Sequence, residues 1–253
     1  MTVEERGWTA LSGARSVDYN VVLCHGASAG ADLEAGVNRI AAAGVPGMVI
    51  VAGTALGEVQ KLVELGWVCV GSVPLMALEL SPSDPPHASS ESSAPSESSA
   101  PSEPFASSAS SAASTVRRLD GDQLDAAREI VGKVFGIGPE LALVAIPRDA
   151  AQRTGQSVWG AFDDHDRLVS CLVAVRTQDA VAIWSMTTAA AARGRGHGGA
   201  VLRAALAAQA RAGARIALLY CSRAGEPFYR GLGFRELERW QLWSRPRWVL
   251  GRA

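Results

Sequence analysis

From residue 115 onward the apolar positions change rhythm in a regular order. Residues 115–119 read as a short strand. Leu124, Ala127, Ile130, Val131 and Val134 then recur at three- and four-residue spacing, a helix to about Phe135 that Asp120 could cap. A second short helix over 139–146 stops at Pro147. Residues 158–162 and 168–176 read as strands on either side of Asp163-Asp164-His165-Asp166, a strong turn signal. Residues 180–187 form a further strand, and a glycine-rich loop leads from it into an Ala-rich helix ending near Ala212. Residues 216–220 are wholly apolar, as a central strand requires. A short helix over 226–232 and strands over 235–244 and 247–250 complete the pattern.

The first 80 residues repeat part of this rhythm. Strands are expected at 20–24 and 46–52, helices at 31–43 and 56–65, and a strand or hairpin at 67–80. The same strand–helix–strand–helix–strand order spans 180–244. Both stretches end their second helix on a leucine–glycine–aromatic step, Leu65-Gly66-Trp67 and Leu232-Gly233-Phe234, where glycine provides the left-handed stop. A diverged internal duplication is the expectation. Between the two parts, Ser, Pro and Ala make up 28 of the 35 residues of 81–115, and Glu-Ser-Ser-Ala-Pro-Ser occurs twice in succession from residue 91. Such a stretch has almost nothing to bury, so a flexible, weakly acidic linker is expected. The resulting scheme is a half-domain at 1–80, a linker at 81–115 and a larger domain at 116–253. The fold class is α/β (α+β), a mixed central sheet flanked by helices and preceded by a smaller βαβαβ half-copy.

Composition narrows the classes. The 253 residues are 48% hydrophobic, enough for a real core. No apolar run reaches the roughly 18–20 residues that span a bilayer. The start, Met1 to Arg6, has acids where a signal peptide needs bases, so a cytoplasmic protein without a membrane partner is expected. The four cysteines, Cys24, Cys69, Cys171 and Cys221, form no CxxC pair, which argues against a zinc ribbon or other metal centre and against a disulfide scaffold. The formal net charge of −1 hides a split: −4 over 1–80, −4 over 81–115 and +7 over 116–253. A basic C-terminal part fits a polyanionic partner, either a nucleotide cofactor or nucleic acid.

The chemistry concentrates in Arg193-Gly194-Arg195-Gly196-His197-Gly198-Gly199, between a strand and a helix. Glycines let the backbone turn and approach a ligand, and amides at a helix start favour phosphate. The two arginines add forked donors. Gly194, Gly196 and Gly199 meet the spacing of a dinucleotide fingerprint, but the acid due at the end of the next strand is replaced by Tyr220-Cys221-Ser222. A Walker sequence is absent. The alternative pattern, R-x-x-G-x-G, is met by Arg193, Gly196 and Gly198.

On that pattern, and on Phe228-Tyr229-Arg230-Gly231-Leu232-Gly233-Phe234 about thirty residues later, the chain from about 116 to 245 resembles the GNAT family of acetyl-CoA-dependent N-acyltransferases. The resemblance implies a splayed sheet and acetyl-CoA as cosubstrate. It implies that Arg193, Gly194, Arg195, Gly196, His197, Gly198 and Gly199 hold the CoA pyrophosphate. Met186, Thr187 and Thr188 would pair with the pantetheine arm, and Tyr229 would protonate the leaving thiolate. A phenol suits that task because its pKa of about 10 lies near that of a thiol. The carboxylate many members carry before the loop is missing, since the strand reads Ala182-Ile183-Trp184-Ser185-Met186. That leaves a water relay, with Glu226 and Glu129 as weak candidates for the base, and His197 on the phosphate side or in solvent. In the first half, His25-Gly26-Ala27-Ser28-Ala29-Gly30 has no arginine, and Leu62 stands where Tyr229 stands in the second. This resembles tandem-type members with a degenerate N-terminal half.

The expected function is direct acyl transfer to a small-molecule or peptide amine. The alternative is an acyl-CoA-binding sensor or scaffold with little or no turnover. A thioester route through Cys221 is disfavoured because no histidine neighbours it in sequence. Nucleic-acid stacking by Trp240, Trp243 and Trp248 is explained more simply by strand residues packing a core. The sequence leaves the acceptor and a homo-oligomeric state open.

Overall fold

A computed structural model of the protein describes residues 8–26, 29–81 and 115–246. In chain order the elements are β1 (Trp8–Leu11), β2 (Asn20–His25), α1 (Ala29–Ala43), β3 (Met48–Ala52), α2 (Val59–Glu64), β4 (Val68–Glu79), β5 (Thr115–Leu119), α3 (Gln123–Phe135), α4 (Pro139–Ala145), β6 (Gln156–Phe162), β7 (Leu168–Thr177), β8 (Ala180–Thr188), α5 (His197–Arg211), β9 (Ile216–Tyr220), α6 (Glu226–Gly231) and β10 (Arg235–Ser244). The acidic N-terminal start, nearly all of the expected linker and the strand over 247–250 lie outside the described residues.

Most expected elements are present, with local differences. β1 was not anticipated. The helix expected over 56–65 begins as a 3-10 turn, Gly53–Glu58, before α2. Of the strand or hairpin expected over 67–80, the structure shows one long strand, Val68–Glu79. The start of α3 lies at Asp122 rather than Asp120. Gly121 takes φ +47°, and the Asp120 carbonyl accepts the Gln123 amide at 3.0 Å, so the chain turns once more before the helix begins.

The elements gather into two compact units, Met1–Leu78 with Leu218–Ala253, and Glu79–Ala217. A division at the linker alone places residues 218–253 with the downstream part. Their place with the N-terminal residues follows from β10, which runs antiparallel to β3 along one edge and to β4 along the other.

In the first unit the strand order is β1-β2-β3-β10-β4-β9. β2 and β3 are parallel, while β1 is antiparallel to β2. One face of this sheet presents Val22, Cys24, Val49, Val51 and Trp243 to Leu33, Val37 and Ile40 of α1 and to Leu62 of α2, all buried with Trp67. Period-2 side-chain alternation puts these strand residues on a single face. β10 departs from that alternation. Glu236 faces Met76 and Glu238 faces Leu75, so Leu237 is an extra residue, a β-bulge.

The ends of α2 and α6 are built alike. The Trp67 amide bonds to the Leu62 carbonyl at 2.9 Å, and the Phe234 amide bonds to the Tyr229 carbonyl at 3.1 Å. Gly66 and Gly233 take φ +76° and +90° between them. This is the six-to-one closure of a helix by a left-handed glycine.

In the second unit the order is β8-β7-β6-β5, with every adjacent pair antiparallel. Leu124, Ala127 and Val131 of α3 bury one face against Val158, Phe162, Cys171 and Val173. The other face meets α5, where Gln209 Nε2 donates to Ser157 Oγ at 3.1 Å.

Candidate active site

β8 carries the chain into the glycine loop, and it is not regular. Thr187 pairs with Cys171 and Trp184 with Val173, so Ser185 and Met186 stand where β7 has only Leu172. Ser185 takes φ +48° at this bulge. A left-handed serine costs energy and persists only where surrounding structure imposes it. The end of the strand is tied down from β7. Ser170 Oγ donates to the Thr187 carbonyl at 2.7 Å and lies 2.9 Å from Thr188 Oγ1. Sequence reading passed over Ser170. Its only signal was a small polar residue inside an apolar strand.

After Thr188 a 3-10 turn, Ala190–Ala192, delivers Arg193. Its Nε donates back to the Thr188 carbonyl at 3.2 Å. Gly194 and Gly196 take φ +75° and +84°, and a side chain at either position would be strained even though the space around both is open. Gly196 is the N-cap of α5, and the Ala200 amide makes the first helical bond to its carbonyl at 2.9 Å. The amides of His197, Gly198 and Gly199 therefore have no place in the helical ladder. No acid lies in the first turn and no side chain caps it. Arg193 and Arg195 are exposed, and Arg195 makes no ion pair among the described residues. His197 is buried rather than solvent-facing. A helix start that lacks an acidic cap and stands beside two exposed arginines is suited to an anion.

Met186, Thr187, Thr188 and residues 193–199 thus form one continuous strand–loop–helix in the second unit. Tyr229 belongs to the first unit, on α6. Its ring meets Phe228 and Phe234 edge-on, at 5.1 and 5.8 Å between centroids. Burial, and secondarily the Cys221 thiol, push its pKa up to about 12. The expected match between phenol and thiol therefore does not hold. Tyr229 keeps its proton at any working pH but is a weaker acid than a free phenol.

The other candidates are constrained by their partners. Cys221 is buried with Sγ 3.6 Å from Met76 Sδ, and burial raises its pKa. Such a thiol is a poor nucleophile. Glu226 is bound by Arg230 at 2.8 Å, and this hydrogen bond lowers its pKa. Lys133 lowers that of Glu129 in the same way. Both carboxylates are weakened as bases. Leu62 is fully buried in the core of the first unit. Among the described residues no group of His, Cys, Asp and Glu could hold a metal ion, and no helix is long and apolar enough to cross a membrane.

Residues 154–236 match the family model described as acetyltransferase (GNAT) domain. No curated protein is significantly similar to the chain in sequence. Among solved structures, the chain is similar to a GCN5-related N-acetyltransferase from Kribbella flavida, with 18% identity, a TM-score of 0.64, and 97% of this chain and 88% of that one covered. It is also similar to a GCN5-related N-acetyltransferase from Sphaerobacter thermophilus, with 20% identity, a TM-score of 0.60, and 94% and 76% covered. The chain thus has the fold of the GCN5-related N-acetyltransferases, and its residues 154–236 match the acetyltransferase (GNAT) domain model.

Proposed function

We propose that the protein is an acetyl-CoA-dependent N-acetyltransferase that passes the acyl group directly to an amine. The observation that carries this is the start of α5: three amides outside the helical ladder, left-handed glycines at 194 and 196, and two exposed arginines at one place. These features fit the pyrophosphate of acetyl-CoA, which when bound supplies an activated acyl thioester. Arg193, Gly194, Arg195, Gly196, His197, Gly198 and Gly199 hold the phosphates. Met186, Thr187 and Thr188 pair with the pantetheine arm, and a backbone N–H near Thr188 polarises the carbonyl under attack. Tyr229 donates its proton to the departing sulfur. Orientation and electrostatics do the rest, with no covalent enzyme intermediate.

Residues 116–253 form the acetyl-CoA-binding part in this reading, and 1–80 a degenerate half-copy that shapes the substrate side or the fold. The matched closures of α2 and α6 support that equivalence and align Leu62 with Tyr229. A leucine there has no proton to give. A second reading, a weak or inactive acyl-CoA sensor, draws support from the absence of any carboxylate on β8 and from the tethering of Glu226 and Glu129.

The test is calorimetry with acetyl-CoA, followed by an acyl-transfer assay over a panel of amines. Binding with turnover supports the enzyme. Tight binding with no turnover on any amine supports the sensor. No binding of acetyl-CoA sinks both.

A further inference from the structure

Glu238 stands where an uninterrupted strand would not put it. Residues two apart on a strand share a face, so Glu236 and Glu238 would ordinarily point the same way. The bulge at Leu237 separates them. Glu236 shares the face of Met76 and Arg239, whereas Glu238 shares that of Leu75, with Trp240 next along the strand opposite Val73. The consequence is electrostatic. Glu236 is bound by Arg239 at 2.7 Å and by Arg230 at 3.0 Å, and Arg230 also holds Glu226. Glu238 has no lysine or arginine partner among the described residues.

Its surroundings are apolar and aromatic instead. The Trp240 indole N–H donates to Oε1 at 2.6 Å and fixes the carboxylate. Oε2 is 3.8 Å from Nε2 of the exposed His25, beyond hydrogen-bond reach. The Tyr220 ring lies 6.0 Å from that of Trp240, tilted by 43°, and is itself partly exposed. Burial first, and then the charges of Asp18 and Tyr19, raise the Tyr220 phenol's pKa. A half-buried carboxylate against apolar strand residues has lost hydration without gaining a formal positive charge. Ring faces beside it attract a cation.

We infer that Glu238, Trp240 and Tyr220 form a binding strip for the ammonium group of an organic amine, one with an apolar or aromatic body to lie along the sheet. Resting on the N-acetyltransferase reading, this makes the acceptor a cationic amine of that kind. Glu238 Oε2 accepts from the ammonium, the rings of Trp240 and Tyr220 flank it, and Val73 and Leu75 meet its apolar part. Cation binding as such does not depend on turnover.

The experiment titrates the full chain with phenethylamine and, as a neutral comparator, 2-phenylethanol. Wild type should bind the ammonium at least about tenfold more tightly than the alcohol. Glu238→Gln should erase that preference. Trp240→Phe, which keeps a ring but removes the N–H holding Oε1, should reduce it in part. Glu236→Gln, the same charge change on the opposite face, should leave it intact, and acetyl-CoA affinity should be equal in all variants. A wild-type preference in Glu238→Gln, an equal loss in Glu236→Gln, or no preference in wild type overturns the strip. A preference that depends on Glu238 without acetylation of any amine leaves the strip standing and removes the transferase reading. Acetylation with the same KM for phenethylamine in wild type and Glu238→Gln does the reverse.

Discussion

Tyr229→Phe separates an acid from a packed ring. The substitution keeps the edge-on contacts with Phe228 and Phe234 and removes one hydroxyl. Fold stability should fall by no more than about 1 kcal/mol, the worth of one hydrogen bond. The catalytic effect is larger but bounded by the raised pKa. With the phenol at about 12 and a thiol near 8.5, complete proton transfer is uphill by roughly 5 kcal/mol at about 1.36 kcal/mol per unit. The proton therefore moves only as the carbon–sulfur bond breaks. General acids contribute about 10²–10⁴-fold, and a mismatched one belongs at the lower end, about 10²-fold in kcat or roughly 2.7 kcal/mol. Acetyl-CoA affinity should be unchanged. The acid form is the active one, so a pKa raised by burial first and by Cys221 second keeps Tyr229 competent until the pH nears about 12. Steady-state kinetics across pH, with calorimetry on both proteins, reads all of this. A wild-type kcat in Tyr229→Phe refutes the reasoning. So does a descending limb near pH 10 that is present in wild type and absent from the variant.

Three further outcomes are expected. Replacing Arg193 and Arg195 together by Ala should weaken acetyl-CoA binding at least tenfold, about 1.4 kcal/mol, and calorimetry at raised salt should shrink the difference, because both side chains are exposed. Leu62→Ala empties a fully buried site in the core of the first unit and should cost about 2–5 kcal/mol in denaturant unfolding, with acetyl-CoA affinity unaltered. Asp163 is held down to about 2 by the Arg167 side chain and by backbone amides of the turn. A depressed carboxyl stabilises above its unfolded pKa of about 3.9 and loses that contribution as pH falls toward 2. Wild type should therefore exceed Asp163→Asn in thermal stability at pH 6, and the two curves should converge by about pH 2.

Where local pattern determines structure, the sequence was readable. The 3.6-residue rhythm of α3, the strand-like runs of β6 and β7 on either side of an acidic turn, and the strand–glycine loop–helix around Arg193 all stand as expected. β1 escaped because four residues carry too little periodicity to register. The start of α3 slipped because Asp120 and Asp122 are equally good caps by type, and only the left-handed Gly121 decides between them. Non-local pairing was beyond reach. Nothing in Arg235–Ser244 announces that its neighbours are β3 and β4, nor that Leu237 is an inserted residue, since Arg-Glu-Leu-Glu-Arg-Trp reads as an ordinary alternating strand. For the same reason, the charge compensation of Glu236 and its absence at Glu238 could not be seen in one dimension.

The seat of β10 has a consequence for how the chain is made. Ser244 Oγ donates to the Gly47 carbonyl at 3.0 Å across 197 residues of sequence. Synthesis runs from the N-terminus at about 5–20 residues per second, so β3 would wait on the order of 10–40 s for the strand that pairs with it. During that interval β3 and β4 each present an open edge, and the apolar surface that Trp243 finally covers lies bare. Non-local pairing of this kind is slow, and unpaired edges recruit other chains. A nascent chain stalled before Arg235, or one whose C-terminal strand is obstructed by a fusion, is therefore expected to be lost to aggregation well before any question of ligand or catalysis arises.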